Sequence, residues 1–116
     1  MKSSNPGTTP RRGEVWWASF DPAIGSEIKK TRPCVVLTSN VLNERRRTLV
    51  VVPLSSASRA APPVAVRVQC AGRSAVAIVD QVRAMARERF LRRIELLNAA
   101  HLEAIEHALR EILELD

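Results

Sequence analysis

Residues 32–56 read RPCVVLTSNVLNERRRTLVVVPLSS, and this stretch decides the fold. It holds two short apolar runs, Cys34-Val35-Val36-Leu37-Thr38 and Leu49-Val50-Val51-Val52. Both are rich in β-branched residues and neither alternates with polar ones, which predicts strands buried on both faces. Pro33 pushes Arg32 into an extended conformation at the mouth of the first strand. Pro53 has no N–H to give to a ladder, so the second strand is expected to end or reach an edge there. Between the runs, Asn40–Thr48 reads as a loop carrying Arg45-Arg46-Arg47.

Working outward, Glu14-Val15-Trp16-Trp17-Ala18-Ser19-Phe20 is a further strand, closed by the turn-forming pair Asp21-Pro22. A loop from Ala23 to Thr31 follows, with Gly25 and Ser26 as its flexible points. On the other side, Ser55–Pro63 is a polar, proline-rich loop. Val64–Val68 alternates as a half-exposed strand. Ser74–Val79 is another strand and leads into Asp80-Gln81-Val82-Arg83-Ala84-Met85. Phe90–Leu96 reads as a last short one. Asn98 is a good helix N-cap. Beyond it Leu102, Ile105, Leu109, Ile112 and Leu113 recur at helical spacing, with Glu103, Glu106, Arg110 and Glu111 facing outward. Residues 1–10 read as a disordered leader and 11–116 as one domain. The class is mainly β with α: a small curled sheet or barrel capped by a C-terminal amphipathic helix.

The composition narrows the function classes. The longest apolar runs are far too short to span a bilayer, the first ten residues have no apolar stretch for a secretory signal, and two cysteines cannot make a disulfide scaffold. A cytoplasmic location follows by default. Charge is unevenly spread. Residues 1–97 carry 17 basic and 7 acidic groups, whereas residues 98–116 carry 1 basic and 5 acidic. A body at +10, mostly arginine, suits a polyanionic or acidic partner.

Metal and nucleotide chemistry is not indicated. The two histidines, His101 and His107, both fall on the terminal helix, where surface or packing roles are expected. No Cys/His cluster has zinc spacing, the carboxylates of the body stand singly, and no glycine-rich loop has phosphate-cradle form. What remains is polar groups at strand ends: Arg32, Ser55-Ser56, and Asp80-Gln81-x-Arg83. Taken singly, each also has a structural reading. Arg32 can snorkel over a barrel rim, the serines can satisfy a turn, and Asp80 and Gln81 can belong to a hydrogen-bond network.

Taken together, the segments are specific. R-G-E-V-W (Arg12–Trp16), D-P-A-I-G-S-E (Asp21–Glu27), K-T-R-P (Lys30–Pro33), V-V-P-L-S-S (Val51–Ser56) and V-D-Q-V-R (Val79–Arg83) resemble the MazF/PemK (Kid) toxin family, over nearly the whole chain from Arg12. The resemblance implies an SH3-like β-barrel and a homodimer. It implies a ribosome-independent endoribonuclease that cuts single-stranded RNA at a short sequence, with no metal or other cofactor. It also implies a cognate MazE-like antitoxin whose acidic, flexible segment covers the substrate groove.

By the same resemblance the catalytic arginine falls on Arg32 and the catalytic threonine on Ser55, where serine keeps the hydroxyl but lacks the methyl that limits rotamers. A histidine used by some members is Ser26 here, beside Glu27, and an arginine used by others is Ile78. Glu27 is the candidate base. Lys29, Lys30, Thr31, Ser56, Arg59, Asp80, Gln81 and Arg83 are candidate RNA-binding residues, with Arg45–Arg47 as further phosphate contacts. Trp16 and Trp17 are both expected in the core. Two other readings stay open: a CcdB-like gyrase poison of the same fold, and a catalytically weak RNA-binding barrel.

Overall fold

The computed structural model describes residues 9–22, 24–27 and 30–116. Among these residues seven strands form one curled sheet: β1 (Glu14–Ser19), β2 (Thr31–Val36), β3 (Thr48–Ser55), β4 (Ala65–Cys70), β5 (Arg73–Ile78), β6 (Arg83–Ala86) and β7 (Phe90–Leu96). Two helices complete it, α1 (Asn40–Arg45) and α2 (Ala99–Leu113). The sheet order is β4-β5-β3-β2-β1-β7, all antiparallel, and β6 pairs with the first half of β3. The expected small barrel is thus a curled half-barrel capped by the C-terminal helix. α2 packs on β4, where His101 Nδ1 accepts the Gln69 N–H at 3.3 Å. His107 pairs with Glu111 at 3.2 Å on the outer face of the same helix. The α2 start is as its sequence predicts: the Asn98 side chain accepts from the Ala100 and His101 N–H groups. Among the described residues no helix is long and apolar enough to cross a membrane. Of the expected leader, residues 1–8 lie outside the described chain, and Pro10 is buried.

The curl creates two apolar cores, one on each face. Val15, Val35, Val52, Leu54, Val68, Ala77 and Val79 pack against Ile105 and Ala108 of α2. Trp16, Ala18, Phe20, Cys34, Val36, Leu49, Val51 and Met85 form the second core. Alternate residues of β1, β2 and β3 therefore feed opposite cores, which is why these strands show no polar alternation. Trp16 is a core residue as expected. Trp17 is only half-buried, with the Arg92 guanidinium 5.8 Å above its ring.

The R-G-E-V-W segment is the clamp of this architecture. Gly13 adopts φ +87°, a region that disfavours side chains, and joins β2 to β7's exit by donating to Val36 O at 2.7 Å and accepting from Leu97 N–H at 2.9 Å. The Arg12 guanidinium donates to Leu37 O and pairs with Glu106 of α2. Glu14 is buried and accepts from Arg11 N–H at 2.8 Å, Trp16 Nε1 at 3.0 Å and Arg93 Nε at 2.7 Å. Burial pushes its carboxyl up, but those three donors outweigh burial and hold it below its ordinary 4.5.

One sequence expectation needs correction, and another is met in one of its two forms. Asn40–Arg45 is a short helix, not loop; Ser39 caps it by accepting from Leu42 N–H. Six residues are too few for an apolar period, and Val41 and Leu42 point outward, so no periodic signal marked it. Of the two outcomes expected at Pro53, an end or an edge, the structure takes the edge, and β3 runs on to Ser55. The missing donor is accommodated by topology. Val50 bonds toward β2 through both its N–H and its C=O, so the alternate residues 51, 53 and 55 face the other side. On that side the partner changes: β6 pairs up to Val51 and β5 pairs from Leu54. Pro53 sits in the gap between two partners, a local edge inside a central strand.

Candidate active site

Arg32 is the second residue of β2, held extended by Pro33 and paired with Ala18 of β1. Ser55 is the last residue of β3. The β2–β3 ladder pairs Val36 with Val51, Val35 with Val52 and Cys34 with Pro53. Carried two residues further, the same register sets Arg32 opposite Ser55. The pleat gives them the face on which Cys34 and Val51 pack, so an apolar core supports both from beneath. They line one open cleft of about 450 Å³, together with Ser26, Glu27, Lys30, Ser58, Ile78 and Gln81.

The loop after β1 is tied down at both ends. Phe20 N–H donates to Lys30 O at 2.8 Å, and Lys30 N–H donates to Asp21 Oδ1 at 2.8 Å. The Arg89 guanidinium donates to the carbonyls of Ser19 and Asp21. Within the loop, Ile24 N–H donates to Glu27 Oε1 at 2.9 Å. Asp21 is therefore a loop clasp, while Ser26, Glu27 and Lys30 are delivered to the cleft. Gln81 comes from the 3-10 turn Val79–Gln81 and Ile78 from the end of β5. Ser55 Oγ accepts from Ala57 N–H at 3.2 Å and from the Ser58 hydroxyl at 3.0 Å. Among the described residues, two cations, Lys30 and Arg32, face one carboxylate, Glu27, so the cleft favours an anion.

Of the sequence candidates, Ser26, Glu27, Lys30, Arg32, Ser55 and Gln81 meet in this cleft. Thr31, Ser56, Arg59 and Asp80 are exposed but not among its lining, and Arg83 on β6 lies with its guanidinium 5.8 Å from the Phe20 ring. Lys29 lies outside the described residues. Arg45–Arg47 precede β3, whereas Ser55 ends it, so the eight-residue strand separates them by roughly 20–25 Å. Ser58 is a cleft residue that the sequence reading missed. Its signal was the hydroxyl run Ser55-Ser56-Ala57-Ser58, which reads equally well as turn chemistry. Neither thiol is a nucleophile here: burial pushes Cys34 up to about 12, and burial with Glu95 beside it pushes Cys70 up to about 11. Among the described residues no group of three or more His, Cys, Asp or Glu side chains is placed to hold a metal.

The family model of PemK-like, MazF-like toxins of type II toxin–antitoxin systems matches residues 11–113. The chain belongs to this family. Among MazF-like relatives, the endoribonuclease MazF9 of Mycobacterium tuberculosis is 34% identical, over 90% of this chain and 97% of the relative. The endoribonuclease toxin MazF of Escherichia coli K12 is 35% identical over 77 residues, 66% of this chain and 68% of that one. A crystal structure of MazF from Deinococcus radiodurans superposes with a TM-score of 0.82 at 25% identity, covering 91% of this chain and 97% of that chain. A mycobacterial endoribonuclease in complex with its cognate antitoxin shares the fold, with a TM-score of 0.77 at 18% identity over 92% of this chain and 97% of that chain. In this MazF-like chain, the R-G-E-V-W motif around Glu14 builds the scaffold, while the T-R-P and P-L-S-S segments reach the cleft.

Proposed function

We propose that this MazF-like toxin is an endoribonuclease that cleaves single-stranded RNA in the cleft of Arg32 and Ser55, and that a cognate antitoxin neutralises it. The observation that carries the reading is the convergence of those two side chains, 23 positions apart in sequence, on one electropositive cleft. RNA brings its own nucleophile. The 2′-OH attacks the adjacent phosphorus in line, the bond to the 5′-oxygen breaks, that oxygen takes a proton from solvent water in the open cleft, and the products carry a 2′,3′-cyclic phosphate and a 5′-OH. The protein's task is to hold the crowded, doubly negative phosphorane. Arg32 is always charged and offers parallel donors to two phosphate oxygens. Ser55 donates to a non-bridging oxygen, and Lys30 adds positive charge at the same mouth. Glu27 takes the 2′-OH proton. Gln81 presents donors and acceptors to a base edge, which is readable only in unpaired RNA.

The antitoxin reading rests on the same charge balance: an acidic flexible segment suits a cleft with two cations facing one carboxylate. A cytoplasmic location follows from an RNA substrate. Homodimerisation is supported by exposed Val41 and Leu42 on α1 and exposed Val50 on the strand it packs against, a surface that a second copy would cover.

The test is to incubate the purified full chain with a long natural RNA, with and without EDTA, and to map both ends at every cut. Cuts at one short unpaired sequence, cyclic phosphate and 5′-OH ends, and an EDTA-insensitive rate are expected. Ends bearing 3′-OH and 5′-phosphate, or cleavage lost on chelation, would overturn the mechanism. Glu27→Gln is a separate measurement. As general base, Glu27 supplies about 10²-fold, so the variant should lose that factor. Near-full activity in the variant removes Glu27 from the role.

A further inference from the structure

We propose that Ser58 is a positioning residue whose hydroxyl aims the Ser55 proton at the reacting phosphate, an inference that rests on the assignment of Ser55 to the cleavage site. A serine hydroxyl has two acceptor positions and one proton. With Ser58 as the donor in the 3.0 Å contact between the two hydroxyls, both acceptor positions of Ser55 are taken, the other by Ala57 N–H at 3.2 Å. The proton is left with the one remaining tetrahedral direction. Ser55 is 8% exposed, and it lines the cleft beside Arg32. The cleft is thus where that proton is available for donation.

The same two bonds settle the side-chain rotamer. Serine has no branch at Cβ, so three staggered wells are open to it. Turning Oγ out of the observed well breaks both bonds at once. The Ala57 bond alone is a common local turn contact and leaves one lone pair unfilled, so the hydroxyl can still rotate. Ser58 fills that position. It also completes a directed chain, Ser58 to Ser55 to phosphate oxygen, in which each donated bond polarises the next. The residue is well suited to this. It sits three positions after Ser55, beyond the end of β3, where its loss removes no ladder bond and no core contact.

Ser58 itself lines the cleft, so direct contact with the RNA is the competing explanation, and kinetics separate the two. Steady-state cleavage of a short labelled RNA is to be measured for the full chain and for Ser58→Ala, Ser58→Thr and Ser55→Ala. Loss of one orienting hydrogen bond predicts that Ser58→Ala lowers kcat about tenfold. KM should stay within about twofold, because an interaction made only in the transition state leaves ground-state binding alone. Ser58→Thr keeps the hydroxyl and should restore kcat, and the thermal midpoint of all variants should match the parent. Full kcat in Ser58→Ala, or a raised KM at unchanged kcat, overturns the proposal. Ser55→Ala tells which assignment has failed. If it is inactive while Ser58→Ala is fully active, Ser58 alone is wrong; if it cleaves like the parent, the role of Ser55 is wrong and that of Ser58 falls with it.

Discussion

Arg32→Ala is expected to cut RNA about 10²–10³-fold more slowly than the parent chain, the cost of removing one preorganised donor set from a developing oxyanion. Arg32→Lys should recover little of that loss. Lysine restores the charge, but as a point charge on a flexible stem, whereas the guanidinium offers a planar fork matched to two phosphate oxygens. The sequence prepares this fork. Pro33 restricts the Arg32 backbone, β1 pairs with it through Ala18, and Cys34 anchors the next inward position in the core. A rigid backbone lets one side chain be aimed without a large entropy cost on binding. The measurement is single-turnover cleavage of an end-labelled RNA at saturating protein, with thermal unfolding of each variant as a control. An Arg32→Ala chain that cleaves at the parent rate would remove Arg32 from the chemistry. An Arg32→Ala chain that binds RNA normally, beside a parent that barely cuts, would favour the non-catalytic binding barrel.

The second large effect concerns stability. Glu14→Ala is expected to destabilise the fold by about 2–4 kcal/mol, because it strands two N–H donors of the clamp, Trp16 Nε1 and Arg11 N, and unpairs Arg93. For a chain of this size that is a fall of roughly 10 °C in Tm. Glu14→Gln keeps the shape and gives up the charge, so its distinct signature is in pH. The folded-state carboxyl of Glu14 is held below its ordinary 4.5. A group so depressed stabilises the fold above its unfolded pKa, and that stability is lost as pH falls through the folded value. Parent stability should therefore drop on the acid side of pH 5. Glu14→Gln should be weaker at pH 7 and flatter across that range. Urea unfolding at several pH values checks both. Equal acid slopes in the parent and Glu14→Gln would show that Glu14 does not carry the linkage. Cleavage per folded molecule should remain unchanged at low temperature, since Glu14 does not line the cleft.

The contrast between these two residues shows what a motif can and cannot say. R-G-E-V-W and T-R-P identify the family equally well, yet one is a clamp and the other reaches the site. Spacing does not distinguish them, because both are short polar–apolar segments at the starts of buried strands. α1 escaped notice for a related reason. Six residues carrying two outward-facing apolar side chains have no period to detect. Pro53 was legible as a donor defect, but its consequence was not: whether a missing N–H ends a strand depends on what lies on that side, and here one partner stops before it and another starts after it.

By itself, the amino-acid order determined the local features. These are the buried strands, the extended Arg32 before Pro33, the Asn98-capped helix, and the surplus of positive charge outside it. Each follows from interactions among near neighbours or from the periodicity of burial. Only the tertiary structure decided that Arg32 meets Ser55, because their approach depends on the antiparallel register of β2 and β3 across an intervening helix and loop. It also decided that Ser58 bonds to Ser55, that Ile78 and Gln81 wall the same cleft, and that Arg45–Arg47 lie at the far end of β3. Pairing between distant segments is set by the packing of two cores at once, and no short window of sequence contains that information.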